Sequence, residues 1–168
     1  YKDRGLLDRL GEPELEPLLA WLDPYRRRAA LTMPKLLLIG TNDPYWTVDS
    51  LRHYWDELPE PKHVFQLPNT GHHLGEEAWK VLAAWVRGLT TGAAPPSVRW
   101  ERKGDTLTVR SDRPCGSAAV WSAFSDTRDF RNAGWSSYAA SCGAEGVSVK
   151  LDKPHQGFRS VFVTVGFD

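Results

Sequence analysis

The chain has 168 residues, and its 21 basic and 21 acidic side chains give a formal net charge of zero. Hydrophobic residues make up 41% and charged residues 25%, a composition typical of folded globular proteins and not of disordered chains. The balanced charge argues against nucleic acid and anionic membranes as partners. The longest apolar run, Leu36 to Ile39, is far shorter than the ~20 residues of a transmembrane helix, so no transmembrane span is predicted.

Helical and strand patterns alternate over residues 1–90. In chain order they predict a helix over 15–22, a strand over 33–40, a helix over 51–58 that Asp49 caps, a strand over 63–67 and a helix over 76–89. This order is typical of a parallel α/β sheet. Since two strands do not make a stable sheet covered on both faces, we interpret residues 1–90 as the C-terminal portion of a larger α/β domain.

Small residues and prolines over 91–97 form a predicted linker, and the pattern after them changes to period-two alternation. The later pattern predicts a hairpin from Val98 to Val109 with its turn at Gly104, and further strands over 147–151 and 161–165. Short strands at this spacing predict that residues 98–168 form a small all-β sandwich, which we interpret as immunoglobulin-like.

Two loops carry the residues that indicate chemistry. Asp43 follows the first predicted strand and His72 follows the second. Because neighbouring parallel strands end at the same edge of a sheet, an acid and an imidazole at these ends can meet. A carboxylate bonded to Nδ1 of an imidazole fixes the tautomer and stabilises the imidazolium that forms when Nε2 takes a proton from a nucleophile. Asp43 and His72 are therefore predicted as the acid and base of a Ser-His-Asp triad.

The same residues are also compatible with simpler roles. Asp43 precedes a proline, and aspartate is common in turns. Asp49 and Asp56 are rival acids, although Asp49 is better explained as a helix cap and Asp56 as solvated helix surface. His72 and His73 are also candidate metal ligands together with Asp43. Adjacent side chains on an extended chain point apart, however, so no metal site is predicted.

Two aromatic residues, Tyr45 and Trp46, follow the predicted acid directly. They are predicted to bind substrate as the walls of an apolar acyl pocket. Packing in the core is the alternative, because aromatic side chains bury large areas wherever they lie. No cofactor is implied by this chemistry.

Several motifs follow one another in a fixed order along the chain. They are Asp23-Pro24-Tyr25-Arg26, Thr32-Met33-Pro34-Lys35-Leu36-Leu37, the Asp43 loop followed by Asp49, Leu58-Pro59, Pro68-Asn69-Thr70-Gly71-His72, Arg128-Asp129-Phe130-Arg131 and the strand from Phe158 to Phe167. This pattern resembles the C-terminal portion of the PhoPQ-activated pathogenicity-related protein family, a branch of the α/β-hydrolases. The resemblance implies parallel strands with covering helices and a C-terminal β domain, with Asp43 and His72 at the family's acid and base positions. It also implies an extracytoplasmic or secreted location.

The chain contains no nucleophile elbow of the form G-x-S-x-G. The segment Gly134-Trp135-Ser136-Ser137 lacks the second glycine, and Ser136 lies in the predicted β domain. We therefore expect the nucleophilic serine upstream of Tyr1, in an upstream part of the same hydrolase domain. The expected reaction is acyl transfer from a small-molecule ester or a peptide amide, and this chain alone should be inactive.

Two further functions are compatible with the sequence. The first is a non-catalytic binding or interaction module on a degenerate hydrolase scaffold, which recognises a glycan, a cell-wall polymer or a protein. Exposed coplanar rings among Trp100, Trp121 and Trp135 would favour such a module, and buried rings would count against it. The second is a pseudoenzyme that keeps Asp43 and His72 but has no serine in the complete gene.

Cys115 and Cys142 are the two cysteines of the chain, and neither belongs to a C-x-x-C pair. Two buried free thiols and one disulfide are both compatible with their positions. A disulfide would indicate an oxidising compartment.

Overall fold

The computed structural model describes residues 2–5, 8–143 and 145–167. Its helices are α1 (Glu16–Leu22), α2 (Gly75–Thr90) and the 3₁₀ segments Lys2–Arg4, Pro24–Ala30 and Ser50–His53. Its strands are β1 (Lys35–Gly40), β2 (Lys62–Leu67), β3 (Val98–Lys103), β4 (Thr106–Ser111), β5 (Ser117–Ser125), β6 (Ser136–Ala139), β7 (Val147–Lys150) and β8 (Phe158–Gly166). The chain divides into two compact units, one formed by Tyr1–Pro34 and Leu51–Pro61, the other by Lys35–Ser50 and Lys62–Asp168.

In the first unit, the α-helix predicted over residues 51–58 does not form. One 3₁₀ turn, Ser50–His53, is followed by hydrogen-bonded turns as far as Leu58. A residue directly before a proline is disfavoured in the helical conformation, and Leu58 is followed by Pro59. In the same unit, the Arg28 guanidinium forms an ion pair with Glu57.

In the second unit, β1 and β2 pair in parallel, from Lys35 opposite Lys62 to Gly40 opposite Leu67. Helix α2 contacts both strands. These two strands and this helix lie where the sequence predicts them. Because the two strands are parallel, the loops after β1 and β2 leave the sheet on the same side.

The fold-class prediction of an α/β-hydrolase part followed by an immunoglobulin-like sandwich is wrong. In the described residues, parallel pairing is limited to β1 and β2, and the other six strands form two antiparallel sheets. With α1 only seven residues long and a 3₁₀ turn in place of the middle helix, α2 is the only helix of the described part of the chain that is long enough to cover a sheet. The immunoglobulin fold has about seven strands in sheets of unequal size, whereas the two antiparallel sheets here have three described strands each, six in all.

The two antiparallel sheets have the strand orders β3-β4-β7 and β6-β5-β8. The predicted hairpin is present as β3 and β4, with Gly104 at a φ of 60° in its turn. Alternate side chains of both sheets point inward and form one core, whose buried members are Val109, Ala118, Val120, Val147 and Val149. A second cluster of Val48, Ala123 and Trp135 packs the segment after β1 against β5 and the segment that follows β5.

Cys115 and Cys142 form a disulfide, with their Cα atoms 6.0 Å apart. Both residues pack against the core of the antiparallel sheets. Of the two alternatives that the sequence left open, the structure therefore shows the disulfide. Among the described residues, no helix has the length and apolar character needed to cross a membrane.

Candidate active site

The acid loop, residues 41–46, follows β1 and folds around the carboxylate of Asp43. Oδ1 of Asp43 accepts hydrogen bonds from the backbone N–H of Tyr45 at 2.7 Å and of Trp46 at 3.1 Å. Aspartate forms such turns because its short side chain reaches the backbone two residues further on. The turn leaves only 4% of Asp43 exposed.

The His loop, residues 68–74, follows β2 and lies directly against the acid loop. The N–H of Thr41 donates to the carbonyl of Leu67, and the N–H of Asn42 donates to the carbonyl of Thr70, both at 3.0 Å. These bonds continue the parallel pairing of β1 and β2 beyond the strand ends. They bring the backbone that carries His72 next to the backbone that carries Asp43.

Gly40, the last residue of β1, makes this close approach possible. A Cβ atom at residue 40 would overlap the carbonyl oxygens of Thr70 and Gly71. Any side chain there would push the His loop away from the acid loop.

Nδ1 of His72 lies 3.0 Å from Oδ2 of Asp43. An ionised carboxylate only accepts hydrogen bonds, so in the neutral ring Nδ1 carries the proton and Nε2 has the free lone pair. The side chain of His72 is 46% exposed, whereas its partner is buried. The structure thus brings together the predicted acid and the predicted base, in the tautomer that allows Nε2 to accept a proton.

Opposing effects set the charge of Asp43. Burial raises the pKa of this carboxyl, but hydrogen bonds from Tyr45, from the His72 ring and from Trp46 lower it by more. The net pKa therefore lies below the usual value of an aspartic acid. Asp43 is ionised at neutral pH and can stabilise an imidazolium.

Tyr45 and Trp46 surround the ring of His72. The Trp46 ring stacks on the imidazole with centroids 5.5 Å apart and an interplanar angle of 11°, and the Tyr45 ring meets it edge-on at 5.1 Å. Both aromatic side chains are exposed, so neither belongs to the packed core. They form an apolar surface beside the exposed imidazole.

The family model for PhoPQ-activated pathogenicity-related proteins matches residues 1–131. The matched range is most of the chain and includes Asp43 and His72. The chain belongs to the PhoPQ-activated pathogenicity-related protein family.

A similar protein is autocrine proliferation repressor protein A of Dictyostelium discoideum, which is 27% identical over 199 aligned residues. The alignment covers 97% of this chain and 39% of that relative. The chain therefore spans less than half the length of the relative. Among solved structures, none matches the chain significantly.

The rival acids have different surroundings. Oδ1 of Asp49 accepts a hydrogen bond from the Thr47 hydroxyl at 3.0 Å, and both Asp49 and Asp56 are exposed. His73 lies edge-on to His72 with ring centroids 6.2 Å apart. Within the described residues, no three side chains of His, Cys, Asp or Glu are placed to hold a metal ion.

The tryptophans named for a binding module do not form one exposed aromatic face. Trp135 is buried, and Trp121 is half-buried and stacks on Phe162 with centroids 6.2 Å apart. Trp100 is exposed on β3. Exposed coplanar rings are therefore not found among these three residues.

Sequence reasoning missed three polar residues whose side chains hold the two loops in place, Thr41, Asn42 and Asn69. Thr41 and Asn42 stand between the end of β1 and Asp43, and Asn69 stands between the end of β2 and His72. Their polar side chains at the ends of buried strands were the available signal. Their partners lie too far away in the sequence to be predicted.

Proposed function

We propose that this chain supplies the acid, Asp43, and the base, His72, of a Ser-His-Asp triad whose serine lies upstream of Tyr1. The proposed protein is a serine hydrolase that transfers the acyl group of an ester or a peptide amide to water. The observation that supports this most directly is the 3.0 Å contact between Nδ1 of His72 and Oδ2 of Asp43. The buried acid orients a base whose ring is accessible.

In the proposed reaction, Nε2 of His72 takes the proton of the serine hydroxyl as the serine oxygen bonds to the substrate carbonyl carbon. Asp43 remains ionised and stabilises the imidazolium. The imidazolium then gives the proton to the leaving alcohol or amine as the bond from carbonyl carbon to leaving group breaks. Water repeats the sequence on the acyl-enzyme, which releases the acid and restores the serine.

Tyr45 and Trp46 are proposed to contact the substrate. Their exposed rings lie within 5.5 Å of the His72 ring, measured between centroids. Apolar surface at this position favours substrates with an apolar group next to the scissile bond, because binding removes that surface from water. Trp46 covers one face of the imidazole and so restricts the directions from which a substrate approaches.

The chain alone is proposed to be inactive. The missing nucleophile elbow would supply both the serine and, through the following residue, one N–H group of the oxyanion hole. More than half of the similar Dictyostelium protein lies outside the alignment with this chain, which leaves room for such an upstream part. The upstream part of the same protein is therefore the proposed partner.

Labelling of the full-length protein with a fluorophosphonate tests this proposal. We expect the wild type to react at one serine, and His72→Ala to abolish the labelling. His73→Ala is the matched control, because it removes a neighbouring exposed imidazole and should leave the labelling intact. A wild type that does not react would contradict the hydrolase proposal.

The alternative proposal is an interaction module that keeps the Asp43–His72 pair for structure alone. The exposed rings of Tyr45 and Trp46 favour it, as does the name of the relative, a repressor of proliferation. A full-length protein that folds but carries no reactive serine would support this alternative. In that case, replacing Tyr45 and Trp46 together should abolish binding to the partner without affecting the fold.

We also propose an extracytoplasmic location. The Cys115–Cys142 disulfide supports it, because structural disulfides persist in oxidising compartments and are rare in the cytosol. Alkylation of the native protein without reductant should leave both cysteines unmodified, and modification of both in freshly opened cells would contradict the proposal.

A further inference from the structure

We propose that Thr41, Asn42 and Asn69 are positioning residues that hold Asp43 and His72 at their hydrogen-bonding distance. Asn42 and Asn69 bind the two loops to the segment between β5 and β6, residues 126–135, and Thr41 connects the two asparagines. The inference rests on the proposed function, in which Asp43 and His72 act as one unit. The segment 126–135 connects two strands of an antiparallel sheet and lies far from both loops in the sequence.

Asn42 binds the acid loop to this segment. Its Nδ2 donates hydrogen bonds to the carbonyl oxygens of Ala133 at 2.8 Å and Arg131 at 3.0 Å, with a longer contact of 3.4 Å to that of Phe130. Three carbonyl oxygens require a donor, which the amide NH₂ group supplies, whereas a carboxylate at the same position would be repelled. Asn42 directly precedes Asp43, so the bonds fix the backbone from which the acid extends.

Asn69 binds the His loop to the same segment. Its Oδ1 accepts from the N–H of Trp135 at 2.8 Å, and its Nδ2 donates to the carbonyl of Trp135 at 2.9 Å. This is the paired pattern that neighbouring antiparallel residues make. Trp135 is 5% exposed and packs on Val48 and Ala123, so the anchor is itself fixed. Asn69 has a φ of 55°, a left-handed conformation that asparagine adopts more readily than most residues.

Thr41 connects the two asparagines. Its hydroxyl oxygen accepts from the N–H of Asn69 at 2.9 Å, and its O–H donates to Oδ1 of Asn42 at 2.8 Å. Only 1% of Thr41 is exposed. A buried network in which the hydroxyl both donates and accepts is rigid, because breaking either bond leaves an unsatisfied polar atom away from water.

The network explains how a two-stranded parallel sheet holds a precise side-chain pair. Asp43 and His72 lie on loops, and two paired strands alone are a marginal support. The segment 126–135 adds an anchor for each loop, and Thr41 makes the two anchors one unit. Proton transfer depends on this geometry, since a displacement of about 1 Å costs roughly 100-fold in rate.

Thr41→Val and Thr41→Ser in the full-length protein test the network at its centre. Valine keeps the shape of threonine but lacks the hydroxyl, and serine keeps the hydroxyl. The first readout is the ring ¹⁵N chemical shifts of His72, which report which nitrogen carries the proton. The second is the rate of fluorophosphonate labelling. We expect Thr41→Val to show the mixed tautomers of an unconstrained imidazole and labelling that is ~10-fold to 100-fold slower, and Thr41→Ser to restore both.

Asn42→Asp and Asn132→Asp form a second matched pair. Both substitutions add the same charge, but Asn132 is exposed on the same segment. We expect Asn42→Asp to disturb the tautomer of His72 and slow the labelling, and Asn132→Asp to leave both unchanged. If Asn42→Asp fails to fold, the result for Thr41→Val tests the positioning role by itself.

The results distinguish this inference from the proposed function. A folded Thr41→Val protein with the wild-type tautomer and the wild-type labelling rate would overturn the positioning role. A wild type that is never labelled, but whose His72 tautomer is lost in Thr41→Val and restored in Thr41→Ser, would support the positioning role and contradict the hydrolase.

Discussion

Asp43 and His72 are hydrogen-bonded at 3.0 Å but differ in their access to solvent, since the acid is buried and nearly half of the histidine side chain is exposed. The buried carboxylate is held by two backbone N–H groups and has little freedom to turn. The imidazole is fixed at Nδ1, and the part of its ring that Trp46 and Tyr45 leave uncovered is accessible. This asymmetry suits an orienting acid and a proton-accepting base.

Asp43→Asn should lower the fluorophosphonate labelling rate of the full-length protein by ~10⁴-fold, the loss seen when the acid of a triad becomes an amide. The amide can donate to Nδ1 and so favours the wrong tautomer of His72. Asp56→Asn is the matched control, because Asp56 is exposed. An equal loss in both variants would contradict the assigned role of Asp43.

Trp46→Ala in the full-length protein should reduce kcat/KM for esters with long apolar acyl groups about tenfold, with a smaller effect on acetyl esters. The reason is the loss of apolar surface beside the base, worth on the order of 1.5 kcal/mol. Trp79→Ala removes an equally large exposed indole from α2 and should have no effect. Initial rates over a series of acyl lengths measure the difference, and a uniform loss over the series would exclude substrate contact.

Gly40→Ala should lower the free energy of unfolding by about 1–3 kcal/mol, as overpacking does elsewhere. The new Cβ would overlap the carbonyl oxygens of Thr70 and Gly71 and force the two loops apart. Labelling should fall together with stability. Gly134→Ala is the control, since a Cβ at that position meets no atom within 4 Å. Chemical denaturation of both variants provides the measurement.

The lowered pKa of Asp43 predicts how its contribution to stability depends on pH. Because the folded-state pKa lies below the unfolded-state value of about 3.9, the ionised carboxylate stabilises the fold above that pH. This contribution is lost as the pH falls through the folded-state pKa. The difference in melting temperature between wild type and Asp43→Asn should therefore narrow from pH 7 towards pH 3. A difference that widens in acid would contradict the sign of the shift.

Reduction of the Cys115–Cys142 disulfide should lower the free energy of unfolding by about 3.5 kcal/mol, because it releases a loop closed over a sequence separation of 27 residues. Urea unfolding with and without dithiothreitol measures this change. The double variant Cys115→Ser and Cys142→Ser should resemble the reduced protein and not respond to dithiothreitol. A response of the double variant would show that the reductant acts elsewhere.

Local patterns predicted the elements that carry the site. The apolar run before Gly40, the strand ending at Leu67 and the amphipathic segment of α2 all form as expected, because burial of apolar side chains determines each of them. The helix predicted over 51–58 does not form: a 3₁₀ segment and hydrogen-bonded turns take its place, and the residue before Pro59 is disfavoured in the helical conformation. The predicted fold class was wrong for a related reason, since it required a longer parallel sheet with covering helices on both faces.

The sequence by itself determined that an acid and an imidazole follow neighbouring parallel strands. The physical reason is that parallel strands end on the same side of a sheet, and the residue order places Asp43 and His72 just after these two ends. Only the tertiary structure decided how the pair is held. Asn42 and Asn69 find their partners in a segment more than sixty residues away, where the folding of the antiparallel sheets places three backbone carbonyl groups and the main chain of Trp135. No local pattern encodes such contacts, because they depend on the packing of Trp135 against two other parts of the chain.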